Sequence, residues 1–299
     1  MLVRRLAPVV ALSLLAVACA GRDGPPRPSG PGPAAGPAAP GPAPADQQAP
    51  PTTNPAPPAP GPPAQGPAAV AASLVAAEQA IRNPAVPTAS LEPTARSQQD
   101  AYRALIEHPD WMPQVLAATP AAMHATIRAN VAAGAELRAL HKPQTRLPPW
   151  RIVSPAPAHE LLRYYRAAQA DLGIPWQYLA AIHLVETRMG RIRGTSVAGA
   201  QGPMQFLPST WARYGNGGDI NSNRDSIFAA ARLLAANGGP GDMRRALYRY
   251  NPTPRYVNAV SAYAGQMREN ERAYFAYYHW QVYYRMVDGD RLLPVGYGR

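Results

Sequence analysis

Glu186 stands apart from other acids: it is the only glutamate between Glu160 and Glu269, and no aspartate follows it before Asp219. It ends an apolar, helix-like run that reads Leu184-Val185-Glu186-Thr187-Arg188-Met189-Gly190. Ten residues later comes a glycine-bearing stretch, Ser196-Val197-Ala198-Gly199-Ala200-Gln201-Gly202-Pro203-Met204-Gln205-Phe206-Leu207-Pro208-Ser209-Thr210-Trp211. A carboxyl at a helix C-terminus, with an amide presented by the next loop, suits proton transfer at a glycosidic bond. The negative end of the helix dipole and apolar neighbours such as Val185 and Met204 disfavour ionisation, so its pKa should rise toward that of a general acid. The Gln205 amide both donates and accepts, which matches N-acetyl and hydroxyl groups. Gly199 and Gly202 let backbone approach a sugar closely. Ordinary glycosidases employ two carboxylates, and this segment supplies one. One suffices if the substrate brings its own nucleophile. The plainer reading makes Glu186 an exposed last-turn residue paired with Arg188 or Arg191, and the loop a mere turn into the next helix.

The two segments, in this order and with these helical flanks, resemble the lytic transglycosylases of lysozyme-like fold, most closely the B-type membrane-bound branch. The resemblance runs from about Leu172 to Ala264, roughly a third of the chain. It implies that Glu186 protonates the glycosidic oxygen and then, as carboxylate, takes the proton of the muramic acid 6-hydroxyl, closing a 1,6-anhydro ring. The family's Gly-x-Met-Gln-Phe segment corresponds to Gly202-Pro203-Met204-Gln205-Phe206, which implies substrate contacts at Met204 and Gln205. Ser196 corresponds to a serine lining the same cleft, and Tyr250 and Asn251 to the Tyr-Asn pair closing its far side. Asn251 before Pro252 is also an ordinary helix stop. The chain lacks the extra segment that longer B-type relatives carry between the glutamate and glutamine motifs. It also lacks the glycine and final glutamate of their calcium loop: Arg224 and Ala230 stand there among Asp219, Asn221, Asn223 and Asp225. Neither metal nor cofactor is expected. A hydrolytic muramidase of the same fold and a non-catalytic glycan-binding lipoprotein are the competing functions.

Helices must position these groups. The pattern predicts Ala68 to Arg82, Ala95 to Glu107 and Pro120 to about His141 as a helical region of unassigned role, then a link over Lys142 to Pro149. From residue 150 to 299 a mainly α, lysozyme-like domain is expected. Its first helix starts at Ala158, with Leu161, Leu162, Tyr165 and Ala168 inward and Gly173 as its end. The next follows Pro175, with Leu179, Ile182 and Val185 on its buried face and Gly190 as its stop. Further helices are predicted over Ser209 to Tyr214, around Ala229 to Leu234, over Asp242 to Tyr250 and from Tyr256 to about Tyr278. A hairpin closes the chain, Val282 to Val287 and Asp290 to Val295 about an Asp288-Gly289 turn. Tyr274, Tyr277, Tyr278 and Trp280 read as packing before glycan binding. His183 and Glu186 share a helix face without the second histidine that a zinc helix needs.

The first quarter of the chain predicts a route and no core. Arg4 and Arg5 precede an apolar run, Leu6 to Val17, too short to span a bilayer, as in a signal peptide. Leu15-Ala16-Val17-Ala18-Cys19 resembles a lipobox, with Ala16 where leucine is usual. Residues 1–19 thus read as an export signal ending at a lipid-accepting Cys19, with cleavage after Ala18 or Ala20 as the alternative. Cys19 is the only cysteine among 299 residues, so no intramolecular disulfide forms. Residues 20–67 hold about half of the 37 prolines and no aromatic, the composition of a disordered tether. The net charge is +11, carried almost wholly by arginine, which reads as a solvated basic surface or as attraction to an anionic envelope. A nucleic-acid partner is not expected. The predicted setting is therefore the cell envelope, with peptidoglycan strands as partner and a membrane reached through the lipid.

Overall fold

The computed structural model describes residues 66–298; the signal, Cys19 and most of the tether lie outside that range. The described chain is mainly helical, with eleven α-helices and two small antiparallel strand pairs. The N-terminal helices are α1 (Pro67–Arg82), α2 (Glu92–Glu107), α3 (Met112–Ala117) and α4 (His124–Ala139). After strand β1 (Arg151–Ile152) come α5 (Ala158–Leu172), α6 (Trp176–Thr187) and β2 (Ile192–Arg193). The remainder is α7 (Pro208–Tyr214), α8 (Asn223–Ala236), α9 (Met243–Tyr250), α10 (Pro254–Glu269), α11 (Arg272–Tyr278), β3 (Val282–Met286) and β4 (Gly289–Leu293). No helix of the described residues is long and apolar enough to cross a membrane.

Helix α6 is the centre of the molecule. Leu179, Ala180, Ala181, Ile182 and Leu184 have no exposed surface, so the helix is buried nearly all round and not on one face as its pattern suggested. A polar residue on such a helix is buried with it. Gln169 of α5 accepts the Trp176 amide at 2.7 Å and so satisfies an orphan donor of the first turn. Helix α10 lies between α6 and α4, and one apolar core runs without a break from Val70 through Trp280. The N-terminal helices are thus packed into the same core as α5 to α11. A second, smaller core of Trp150, Ile152, Ile192, Val282, Tyr284 and Leu293 lies under the hairpin and the β1–β2 pair.

Several boundaries differ from the sequence reading, each for a local reason. Helix α2 starts at Glu92 and α3 at Met112, because Pro93 and Pro113 fall in first turns, where the missing N–H costs nothing. A short 3₁₀ turn, Ala121–Met123, precedes α4. The expected helix from Tyr256 to Tyr278 is two helices broken at Asn270, which takes an extended φ of −146°. Its Oδ1 accepts the Arg272 amide at 2.9 Å and starts α11. The hairpin is present, but Met286 pairs with Gly289, so the turn is Val287-Asp288, one residue earlier than expected. Alternate strand residues Val282 and Tyr284 face the small core, as the period of two requires.

Candidate active site

Glu186 lies one residue before the end of α6 and is 3 % exposed. Burial pushes its carboxyl up to about 8, while the nearby Tyr256 hydroxyl lowers it slightly. That hydroxyl is itself buried and meets no partner at full hydrogen-bond geometry, so the Tyr256–Glu186 approach is a weak contact. Neither Arg188 nor Arg191 pairs with Glu186. Arg188 Nη1 donates to the Leu184 carbonyl at 2.9 Å, and Arg191 Nη2 to the Tyr278 carbonyl at 2.8 Å. The plain reading of an exposed, arginine-paired glutamate therefore fails.

The helix ends differently from the expected glycine stop. Arg188 (φ 53°) and Met189 (φ 60°) already turn left-handed before Gly190. Non-glycine residues pay for this conformation, and here they do so directly after Glu186. Thr187 holds the turn together: its Oγ1 accepts the Gly190 amide at 3.0 Å and donates to the Pro203 carbonyl at 2.6 Å. This second bond fastens the glutamine loop to the residue next to the acid.

The loop is a tight reversal. Gln201 and Phe206 exchange two backbone hydrogen bonds of 2.9 Å, with Gly202 to Gln205 between them. Gly202 (φ 73°) admits no side chain, since a Cβ would stand 1.9 Å from the Ile220 carbonyl oxygen. Gln205 is left-handed at φ 52° and 3 % exposed. Its Nε2 donates to the Gly202 carbonyl at 2.8 Å, whereas its Oε1 is buried with no partner. A strained backbone that carries an unsatisfied acceptor is costly, and such strain concentrates at functional sites.

Tyr250 fixes the loop from the other side. Its hydroxyl donates to the Met204 carbonyl at 2.6 Å, and its ring meets Phe206 edge-on and stacks with Tyr256. Burial first, and then the charge of Glu186, raise the Tyr250 pKa, which puts this phenol close to the acid. Asn251 is buried at the end of α9. Ser196 Oγ accepts the Ala200 amide at 2.9 Å and so closes its own small turn. The Met204 side chain is fully buried, and its backbone, not its thioether, joins the network. Glu186, Gln205, Met204 and Tyr250 thus belong to one assembly, and Ser196 closes an adjoining turn.

Thr187 and Tyr256 escaped the sequence reading. The position of Thr187 inside the glutamate motif was its only signal, and Tyr256 was one tyrosine among many. Elsewhere the expected packing roles hold: Tyr274, Tyr277 and Trp280 are core residues. His183 Nδ1 and the Tyr165 hydroxyl share a hydrogen bond of 2.7 Å, and burial drives the His183 pKa down to about 3. Asp219 and Asp225 are taken up by turn and cap bonds, with Ser222 capping α8. Little of Glu186 reaches the surface, since only 3 % of the residue is exposed. No protein-family model, no curated protein and no solved structure matches this chain.

Proposed function

We propose that this chain is a peptidoglycan lytic transglycosylase of lysozyme-like fold, closest to the B-type branch, acting at the cell envelope and anchored by lipid at Cys19. The supporting observation is Glu186: a buried carboxyl with its pKa near 8, tied through Thr187 to a strained loop that carries Gln205. At neutral pH such a carboxyl keeps its proton and can donate it. Glu186 protonates the oxygen of the β-1,4 bond between N-acetylmuramic acid and N-acetylglucosamine, and the C1–O bond breaks. The Glu186 carboxylate then takes the proton of the muramic acid 6-hydroxyl, whose oxygen bonds to C1. No water is consumed, and the carboxyl ends as it began. The unsatisfied Gln205 Oε1 supplies an acceptor for a substrate N–H or O–H.

Digestion of purified sacculi in heavy-oxygen water, followed by mass analysis, tests this reading. Products should end in 1,6-anhydro-muramic acid without label. Labelled reducing ends would establish a muramidase instead, and wild-type inactivity together with glycan binding would establish a binding protein.

A further inference from the structure

Beside the end of α6 lies a partly open cavity of about 150 Å³, lined by residues of α2, α4, α6, α10 and the hairpin. Ile106, Leu137, Val185 and the edges of Trp280 and Tyr263 make its walls largely apolar. A space of about this size accommodates one benzene-sized group. Four arginines and one aspartate also line it. Asp290 is committed to Arg103 and Arg138, at 3.1 and 3.0 Å, with Glu107 beside the same two arginines. Arg285 Nη1 donates to the carbonyls of Arg138 and His141. Arg188 has no carboxylate partner among the described residues. Arg188 is half-buried and lines the cavity, and burial lowers its pKa. A half-buried cation without a counter-charge carries a desolvation cost, and an anion from outside relieves it.

We propose that this cavity binds a small organic monocarboxylate with a compact apolar or aromatic body, its carboxylate on Arg188 and its body against Ile106, Leu137 and Val185. A sugar fits less well, because the Tyr283 face, where it would stack, is already occupied. Arg103 covers the Tyr283 ring at 3.5 Å, and Trp280 is packed edge-on among tyrosines. A metal cation meets an excess of arginine. An inorganic anion leaves the apolar walls unfilled. The cavity adjoins the residues of the candidate site along the chain: Arg188 is the left-handed cap two residues after Glu186, and Tyr263 lies two turns beyond Tyr256 on α10.

Titration of the full chain with benzoate and with its neutral isostere benzamide, followed by ligand-observed NMR, tests the proposal. Benzoate should bind saturably and benzamide about tenfold more weakly, the difference expected when a charge-assisted hydrogen bond becomes a neutral one. Arg188→Gln should erase that preference. Since this change can loosen the α6 cap, Leu137→Trp provides an independent arm: it fills the cavity, leaves Arg188 in place, and should abolish benzoate binding. The proposal is overturned by equal affinity for the two probes, by absence of saturable benzoate binding to wild type, or by unchanged binding in Leu137→Trp.

Discussion

The buried carboxyl of Glu186 has consequences for both catalysis and stability. Its pKa rises from 4.5 to about 8 on folding, chiefly by burial. The folded state therefore holds this proton more tightly than the unfolded one. The resulting stability is complete below 4.5 and is lost as pH rises through about 8. Glu186→Gln removes the titration, so its melting temperature should gain steadily on wild type across that window and exceed it above pH of about 8. A constant difference between the two melting curves would show that the carboxyl is not buried in solution. The same variant should lose about two to four orders of magnitude in turnover, because an amide cannot pass the proton. His183 works in the other direction: its pKa falls from 6.5 to about 3, so its stability is present above 6.5 and is lost as pH falls. Wild type should therefore weaken on both sides of a maximum, and Glu186→Gln only on the acid side. Tyr250→Phe strands the buried Met204 carbonyl. It should cost about 1–3 kcal/mol in urea unfolding and reduce turnover through a loosened loop.

At the scale of elements, the site is the joint between the end of α6 and the Gly202–Gln205 reversal. Thr187 and Tyr250 grip the loop at consecutive carbonyls, those of Pro203 and Met204. The loop's geometry also depends on Gly202 passing against the Ile220 carbonyl. Gly202→Ala should destabilise by roughly 2–4 kcal/mol, since the backbone must leave its left-handed conformation and the carbonyl must move. A urea midpoint indistinguishable from wild type would mean that this loop is not held as described. Replacing Gln205 by Gly relieves the positive φ but deletes the amide. Stability should then stay within about 1 kcal/mol of wild type while turnover falls, which separates strain from substrate contact.

For the whole molecule, the continuous core decides which parts can stand alone. Helix α4 packs along α10, and Arg103 and Arg138 of α2 and α4 hold Asp290 of the hairpin. A fragment of residues 142–299 would expose the α4 face of α10 and free the hairpin. It should lack a cooperative near-ultraviolet melting transition, whereas residues 66–299 should unfold in one step. A cooperative melt of the shorter fragment would show that the N-terminal helices are dispensable.

Local chemistry made much of this legible from sequence. Pro175 and Gly173 bracket real helix ends, and alternation at Val282 and Tyr284 gives a real hairpin. Glu186 and Gln205 stand out because their residue types and spacing are rare, and the fold does bring their segments together through Thr187 and Pro203. The raised proton affinity of Glu186 follows the direction that its helix end and apolar neighbours suggest, but the depth of burial that causes it is tertiary. It depends on α5, α8, α10 and α11 enclosing α6, and no residue of the α6 segment carries that information. The same holds for the tertiary bond from Tyr250 to Met204, the approach of Tyr256 to Glu186, and the cavity around Arg188. Each joins residues far apart in the chain, and packing decides which of many similar tyrosines and arginines arrive there. Spacing within a segment fixes which groups share a helix or a turn; the dielectric around them is set only when the rest of the chain closes over it.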